Sequence, residues 1–248
     1  DGVGGLVEAV ESARGSYVAV QGPPGTGKTY VGSRAVKELL DRGWTVGVTA
    51  QSHAVVENFL DQLIGVGVDP DRVGKEPKDP DGPHRWTSLG SSEVHAFLAP
   101  GRVLGGTAWT FANAAAQPVD LLVVDEAGQL SLAHLLGASA LAETVLLLGD
   151  PQQLPQVSRG EHPQPIGDAA LTWIAEGAPV LRADRGFFLD TSWRMHSALT
   201  RAVSELSYAG RLGAREEVTD ARRLDGVEPG LHPRPVSHTG NAAVSYTH

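Results

Sequence analysis

The stretch Tyr17-Val18-Ala19-Val20-Gln21-Gly22-Pro23-Pro24-Gly25-Thr26-Gly27-Lys28-Thr29 decides how this chain is read. The apolar run from Tyr17 to Val20 predicts a buried strand, the pattern breaks at Gly22, and a helical periodicity resumes at Lys28. Gly22 to Thr29 fits G-x-x-x-x-G-K-[ST] and stands between that strand and that helix, the context in which such a loop binds phosphate. Glycines let the backbone wrap a phosphate with N–H groups turned inward, and the helix N-terminus adds partial positive charge. Lys28 supplies a point charge for β- and γ-phosphates, and the Thr29 hydroxyl can ligate Mg²⁺. Gly22, Pro23, Pro24, Gly25, Thr26, Gly27, Lys28 and Thr29 are therefore expected to cradle a nucleoside triphosphate.

Outward from the loop, strand and helix alternate. Thr29 to Arg42 carries Val31, Ala35, Val36, Leu39 and Leu40 at helical spacing, with Gly43 as a stop. Trp44 to Ala50 predicts a second strand, and Ser52 can cap a helix through Val55, Val56, Phe59, Leu60, Leu63 and Ile64. From Gly65 to Pro100 the pattern decays into Pro, Gly and Asp, with Arg72-Val73-Gly74-Lys75 as its one ordered piece. It reads as an insertion, partly helical near Glu93 to Leu98. Arg102 to Gly106 resumes the sheet, followed by a short helix around Phe111 to Ala115. Val119 to Asp125 is a largely apolar run ending in Asp125-Glu126, and Val145 to Gly149 is another strand. Such runs suit parallel strands buried on both faces, so the fold class is α/β, a parallel sheet with helices on both sides. Ligands of these sheets bind at the carboxyl ends of strands, where Gly22, Thr49, Asp125 and Asp150 fall.

Composition narrows the rest. The 248 residues contain no cysteine, which excludes disulfides and thiolate metal sites. No run approaches the roughly 18 apolar residues of a membrane span, so a cytoplasmic location without membrane partners is expected. The formal charge of −9 argues against a generally basic nucleic-acid-binding surface but leaves room for a local basic groove. The chain opens on Asp1 rather than Met, which fits a piece of a longer protein or a processed product.

The strand-terminal carboxylates give the second signal. Asp125, at the end of an apolar strand, suits the role of a Mg²⁺ ligand, and the adjacent Glu126 that of the base which orients or deprotonates water. Further blocks follow in order. Asp125-Glu126-Ala127-Gly128-Gln129, Gly149-Asp150-Pro151-Gln152-Gln153-Leu154-Pro155 and Leu189-Asp190-Thr191-Ser192-Trp193-Arg194-Met195-His196 resemble motifs II, III and IV of superfamily 1 helicases. Their form is that of superfamily 1B, the group of the nonsense-mediated-decay helicase and its DNA-directed relatives. Gly22 to Thr29 is then motif I, Thr49 to Asn58 resembles motif Ia, and Gly105-Gly106-Thr107-Ala108 resembles motif Ic. Within that group the chain is most similar to bacterial proteins in which such a helicase follows a RecB-like nuclease domain.

That resemblance implies a RecA-like P-loop NTPase hydrolysing ATP with Mg²⁺ to move 5′ to 3′ along single-stranded DNA or RNA, DNA being favoured. A nuclease domain in the same parent chain is a partner it implies. Lys28, Asp125, Glu126, Gln153 and Arg194 would be catalytic, Gln153 sensing the γ-phosphate and Arg194 reaching it as an arginine finger. Trp193 would stack near the adenine, Thr29 and Asp125 would hold the metal, and Ser52, His53, Gly106 and Thr107 would hold nucleic-acid phosphates. A nucleotide-dependent switch or scaffold that binds ATP without unwinding is the alternative.

Some features depart from the family pattern. Ala198-Leu199-Thr200-Arg201-Ala202 looks like motif VI but lies too close to Arg194, so Arg201 is taken as a solvent-facing helix residue. Gln21 is too near the loop to be the family's adenine-reading glutamine, and Gln156 replaces a proline at the end of motif III. Motifs V and VI are missing. Residues 1–185 are therefore expected to form RecA-like domain 1 and residues 186–248 the incomplete start of domain 2, with Val236 to Ser245 as an early strand. On that division no complete sheet holds Arg194 at the γ-phosphate, and this piece alone is expected to hydrolyse ATP negligibly.

Overall fold

The structure, a computed structural model, describes residues 2–79, 82–154 and 165–235. Pro155, Gln156 and the expected strand from Val236 to Ser245 lie outside the described residues.

The chain runs α1 (Gly2–Ser12), β1 (Ser16–Gln21), α2 (Lys28–Asp41), β2 (Val46–Thr49) and α3 (His53–Gly65). It continues through β3 (Val73–Lys75), β4 (Thr87–Ser88), β5 (Val103–Gly106), α4 (Ala108–Phe111), β6 (Val119–Asp125), α5 (Leu132–Ser139) and β7 (Ala142–Gly149). Then come α6 (Ala170–Ala175), β8 (Phe187–Phe188), β9 (Thr191–Ser192), α7 (Ser197–Ser207), β10 (Gly213–Ala214) and α8 (Glu216–Thr219). Eight strands form one sheet in the order β4-β3-β5-β2-β6-β7-β1-β8, with every pairing parallel. β9 and β10 form a separate parallel pair.

The pleat explains how apolar runs fill both faces. Val18, Val20, Val123, Leu146 and Leu148 point to one side, where they pack with Leu6 and Val10 of α1, Val36 and Leu39 of α2, and Phe59 and Leu63 of α3. Their neighbours Ala19, Leu122, Val124 and Leu147 point to the other, against Phe111, Leu135, Leu171 and Ile174. The helix boundaries follow local chemistry. The Ser52 hydroxyl accepts the Val55 N–H at 3.3 Å and caps α3, and Gly43 at φ +87° ends α2.

Register aligns the carboxyl ends: Gln21 lies opposite Gly149, Thr49 opposite Gly106 and Val124, and Asp125 opposite Leu148. The phosphate-binding loop and the segments after Thr49, Gly106, Asp125 and Gly149 therefore leave one edge of the sheet together.

The sheet adds detail at two expected boundaries. Within residues 65–100, the ordered piece supplies Val73–Lys75, which pairs with β5 and extends the sheet as β3, with β4 beyond it. The helical piece in that segment shrinks to a 3-10 turn at His95–Phe97. The expected division at residue 186 also does not coincide with the sheet edge. Phe187 and Phe188 pair with Val20 and Gln21 as the eighth strand.

Candidate active site

The loop after β1 is braced on both sides. Gly22 N–H donates to Gly149 O at 2.8 Å, and both the N–H and the hydroxyl of Thr26 donate to Pro23 O. A Cβ on Gly22 would fall 2.3 Å from Lys28 Cγ, so the lysine stem occupies the space that glycine leaves free. Gly25 and Gly27 take φ of +79° and +87°, a left-handed backbone that glycine adopts without strain. Lys28, 8 % exposed, donates its Nζ to Gly22 O at 2.7 Å. The ammonium thus rests on the loop's own carbonyl, within the cradle where phosphate oxygens can replace that partner.

The acidic wall stands opposite. Asp125 is 2 % exposed and accepts the Glu126 N–H at 3.0 Å. Burial first, and then the neighbouring Glu126, raise its pKa to about 6, against the pull of that hydrogen bond and of Lys28. It has no ion pair among the described residues. A buried, unpaired carboxylate beside the Lys28–Thr29 loop is a hard-oxygen set suited to Mg²⁺. Glu126 takes φ +52°, left-handed for a residue that carries a Cβ. Such a conformation costs on the order of 1–3 kcal/mol and persists where the surroundings fix it. Here Ala127 N–H donates to Leu148 O at 2.8 Å and holds the turn, which brings Glu126 to the cavity wall.

The segment after β8 lies along the loop. Leu189 N–H donates to Gln21 O at 2.9 Å, the Ser192 hydroxyl to Pro24 O at 3.2 Å, and Trp193 N–H to Gly25 O at 2.8 Å. These bonds enclose a cavity of about 570 Å³ lined by Pro24, Gly25, Gly27, Lys28, Thr29, Tyr30, Glu126, Gln153, Trp193, Arg194 and Arg222. Its volume suits a mononucleotide. Gly22, Pro23, Thr26 and Asp125 do not line it. Lys28, Arg194 and Arg222 against Glu126 give the cavity an excess of positive charge in a chain of net charge −9.

The Arg194 backbone is tied to its neighbours. Its N–H donates to the Ser192 hydroxyl at 3.3 Å and its carbonyl accepts from Arg222. Trp193 is half exposed at the cavity rim with the Arg215 guanidinium 5.4 Å from its ring centre. Tyr30 and Arg222 escaped the sequence reading. Tyr30 follows Thr29 on the polar face of α2 and carries Arg34 3.4 Å over its ring, an aromatic-on-polar-face signal that sequence could have offered. Arg222 belongs to no motif. Arg201 lies exposed on α7, as the sequence predicts.

Asp150 is 1 % exposed and does not line the cavity. Its Oδ1 accepts the Gln152 N–H at 3.1 Å and its Oδ2 the Tyr208 hydroxyl at 2.6 Å. Burial first, and then the bond to Asp150, hold the Tyr208 phenol well above its ordinary pKa. Gln21 is committed elsewhere, its amide bonded to Pro179 O at 3.0 Å and Leu181 N–H at 2.7 Å.

The residues expected to hold nucleic acid fall beside a separate cavity of about 90 Å³, lined by His53, Lys75, Glu76, Pro77, Val94, Gly105, Gly106 and Thr110. Ser52 is occupied as the α3 cap, and Thr107 precedes α4 without lining the cavity. His53 is held below its ordinary pKa, by burial first and then by Lys75. Lys75, hidden in the segment read as an insertion, is 1 % exposed and pairs with Glu57 at 2.9 Å.

Fold and cavity together define a RecA-like P-loop NTPase domain, a nucleotide-binding class. The AAA domain family matches residues 5–228, and the chain belongs to it. The chain is 26 % identical over 218 residues to "DNA replication ATP-dependent helicase/nuclease JHS1" of Arabidopsis thaliana, covering 83 % of this chain and 16 % of that protein. It is 28 % identical over 224 residues to "DNA replication ATP-dependent helicase/nuclease DNA2" of Xenopus laevis, covering 83 % and 20 %. The chain thus spans a fifth or less of the length of these relatives. Arterivirus nonstructural protein 10, a helicase in complex with DNA, shares the fold with a TM-score of 0.53 at 19 % identity, over 84 % of this chain and 44 % of that one. No helix among the described residues is long and apolar enough to cross a membrane.

Proposed function

We propose that this chain is the ATP-hydrolysing part of a superfamily 1B helicase that moves 5′ to 3′ along single-stranded nucleic acid, DNA before RNA. The observation that carries this reading is the convergence of Lys28, Glu126, Gln153 and Arg194 on one cavity. The printed names of the DNA-replication relatives support it, as does the order of the motifs. Those names also support a nuclease domain in the same parent chain.

Each residue has a task set by its position. The loop N–H groups and Lys28 bind the β- and γ-phosphates of ATP, Lys28 exchanging Gly22 O for phosphate oxygen. Thr29 and Asp125 are the residues that would hold Mg²⁺, which when bound neutralises charge on the phosphate oxygens. Glu126 positions the attacking water and accepts its proton. Gln153 and Arg194 contact the γ-phosphate, the arginine stabilising the charge that develops on it. Trp193 offers a face to the base. Residues 189–235 form the approach to a second RecA-like domain.

His53, Gly106 and Thr107 contact strand phosphates through backbone and hydroxyl groups, without reading sequence. A switch that only binds ATP would gain nothing from a carboxylate held on a left-handed turn beside a γ-phosphate sensor. The deciding experiment is ATP hydrolysis by the chain within its parent protein, with and without single-stranded DNA, for wild type and Lys28→Ala. Strand-stimulated turnover that disappears with Lys28 is expected, together with loss of ATP–Mg²⁺ affinity by calorimetry. Unchanged affinity in Lys28→Ala would refute the cradle, and turnover indifferent to any strand would refute the motor.

A further inference from the structure

Asp150 is buried, carries no ion pair among the described residues, and is met by donors alone. Unpaired buried carboxylates are costly, so a network that retains one calls for an account of what it holds. Its oxygens reach three parts of the fold. Gln152 N–H at 3.1 Å belongs to the turn carrying Gln153, whose own N–H donates to Asp150 O at 3.2 Å. Gln21 Nε2, 3.5 Å away, belongs to the last residue before the phosphate-binding loop. The Tyr208 hydroxyl, at 2.6 Å, belongs to the residue that ends α7.

Tyr208 is anchored on the far side too. Its ring packs with Val180 and Leu212, against Phe188, Met195 and Val203, so it sits between the Arg194 segment and the sheet. We infer that Tyr208 and Asp150 are positioning residues: their hydrogen bond sets the segment bearing Trp193 and Arg194 against the turn bearing Gln153. The two groups that read the γ-phosphate are thereby kept in one geometry although one follows β7 and the other β9. This inference rests on the nucleotide-binding reading of the cavity.

Tyr208→Phe removes one oxygen and keeps the packed ring. Asp150→Asn is the complementary change: it removes the negative charge that strengthens the bond, and its amide can meet the Tyr208 oxygen only if the hydroxyl turns from donor to acceptor. The measurement is affinity for ADP and for a slowly hydrolysed ATP analogue, with Mg²⁺, alongside thermal unfolding. Loss of a hydrogen bond to a charged group should lower the preference for triphosphate over diphosphate by about tenfold in either variant, and no further in the double variant. ADP affinity should stay within about threefold, since Lys28 and the loop are untouched. A merely structural bond would lower the unfolding temperature and leave the triphosphate preference intact, and that result overturns the inference. Independent, additive losses in the two single variants overturn it as well. Binding that survives Lys28→Ala overturns the reading of the cavity itself, and this inference with it.

Discussion

Gly25→Ala should separate the cradle from the segment that covers it. At φ +79° an alanine carries left-handed strain of about 1 kcal/mol. Its Cβ would also stand 2.3 Å from Arg194 Cβ and 3.2 Å from Arg194 N. These are backbone-fixed atoms, so no rotamer relieves the overlap and the Ser192–Met195 segment must shift. That shift breaks the 2.8 Å bond from Trp193 N–H to Gly25 O and weakens the Ser192 hydroxyl bond to Pro24 O, about 1 kcal/mol each. The strain lowers stability alone, whereas the two bonds, roughly 2 kcal/mol together, correspond to about a 30-fold loss of ATP affinity. Gly15→Ala supplies the control, because Gly15 has φ +69° with no atom within 4 Å of the added carbon. It should share the strain and a small fall in unfolding temperature, with ATP affinity preserved. Titration with a fluorescent ATP analogue compares the two. Equal affinities in Gly25→Ala and Gly15→Ala would refute the contact between loop and Arg194 segment as a determinant of binding.

Glu126→Gln keeps shape and hydrogen-bonding capacity without the base, so ATP should bind while turnover falls by about 10²–10⁴; phosphate release at the parental rate would exclude Glu126 as the water-activating group. In chelator, Asp125, with a pKa of about 6 when folded and about 3.9 unfolded, binds a proton only in the folded state between those values. Stability should therefore fall as pH rises from about 4 to 6.5, by at most about 2–3 kcal/mol, and urea unfolding of Asp125→Asn should lack that component. Lys75→Met should weaken single-strand binding and reduce the log–log salt slope by about one if the ammonium meets a phosphate, whereas an unchanged slope assigns Lys75 to its ion pair with Glu57.

The central sheet was legible because burial on both faces leaves an unmistakable composition. Leu121 to Val124 is apolar throughout, and so is Val145 to Leu148, with the pleat distributing alternate residues to opposite cores. The cradle was legible because phosphate wrapping tolerates few residue types. Residues 65–100 were not, since β3 spans Val73–Lys75 and is too short to show a period of two. What makes it a strand is its pairing with Val103–Gly105, a partner distant in sequence. Phe187–Phe188 is shorter still, and its place beside β1 is decided by Gly186, where a Cβ would stand 2.3 Å from Ala19 O. The Tyr208–Asp150 bond joins residues 58 positions apart and leaves no mark in any local pattern.

The placement of Arg194 adds contacts to a domain-by-domain reading of motifs. Such a reading hands the cradle to one sheet and the arginine to another, so that without a second sheet the arginine has no support. The backbone provides support of a different kind. From Gly186 onward the chain follows β1 upward, first as a strand, then through Leu189 N–H on Gln21 O, then onto the phosphate-binding loop at Pro24 and Gly25. Below it, the Ser197 N–H and hydroxyl bind Asp220 and fasten the start of α7. The Arg194 backbone is thus placed beside the loop by the hydrogen bonds of Ser192 and Trp193. The coupling must run both ways, because a displacement of the loop that breaks the Gly25 carbonyl contact releases the arginine, and a shift of the arginine segment strains the loop. Nucleotide-dependent movement of a further domain, in the helicase proposed here, would therefore act on ATP through the Trp193–Gly25 contact before it acts through any distant arginine.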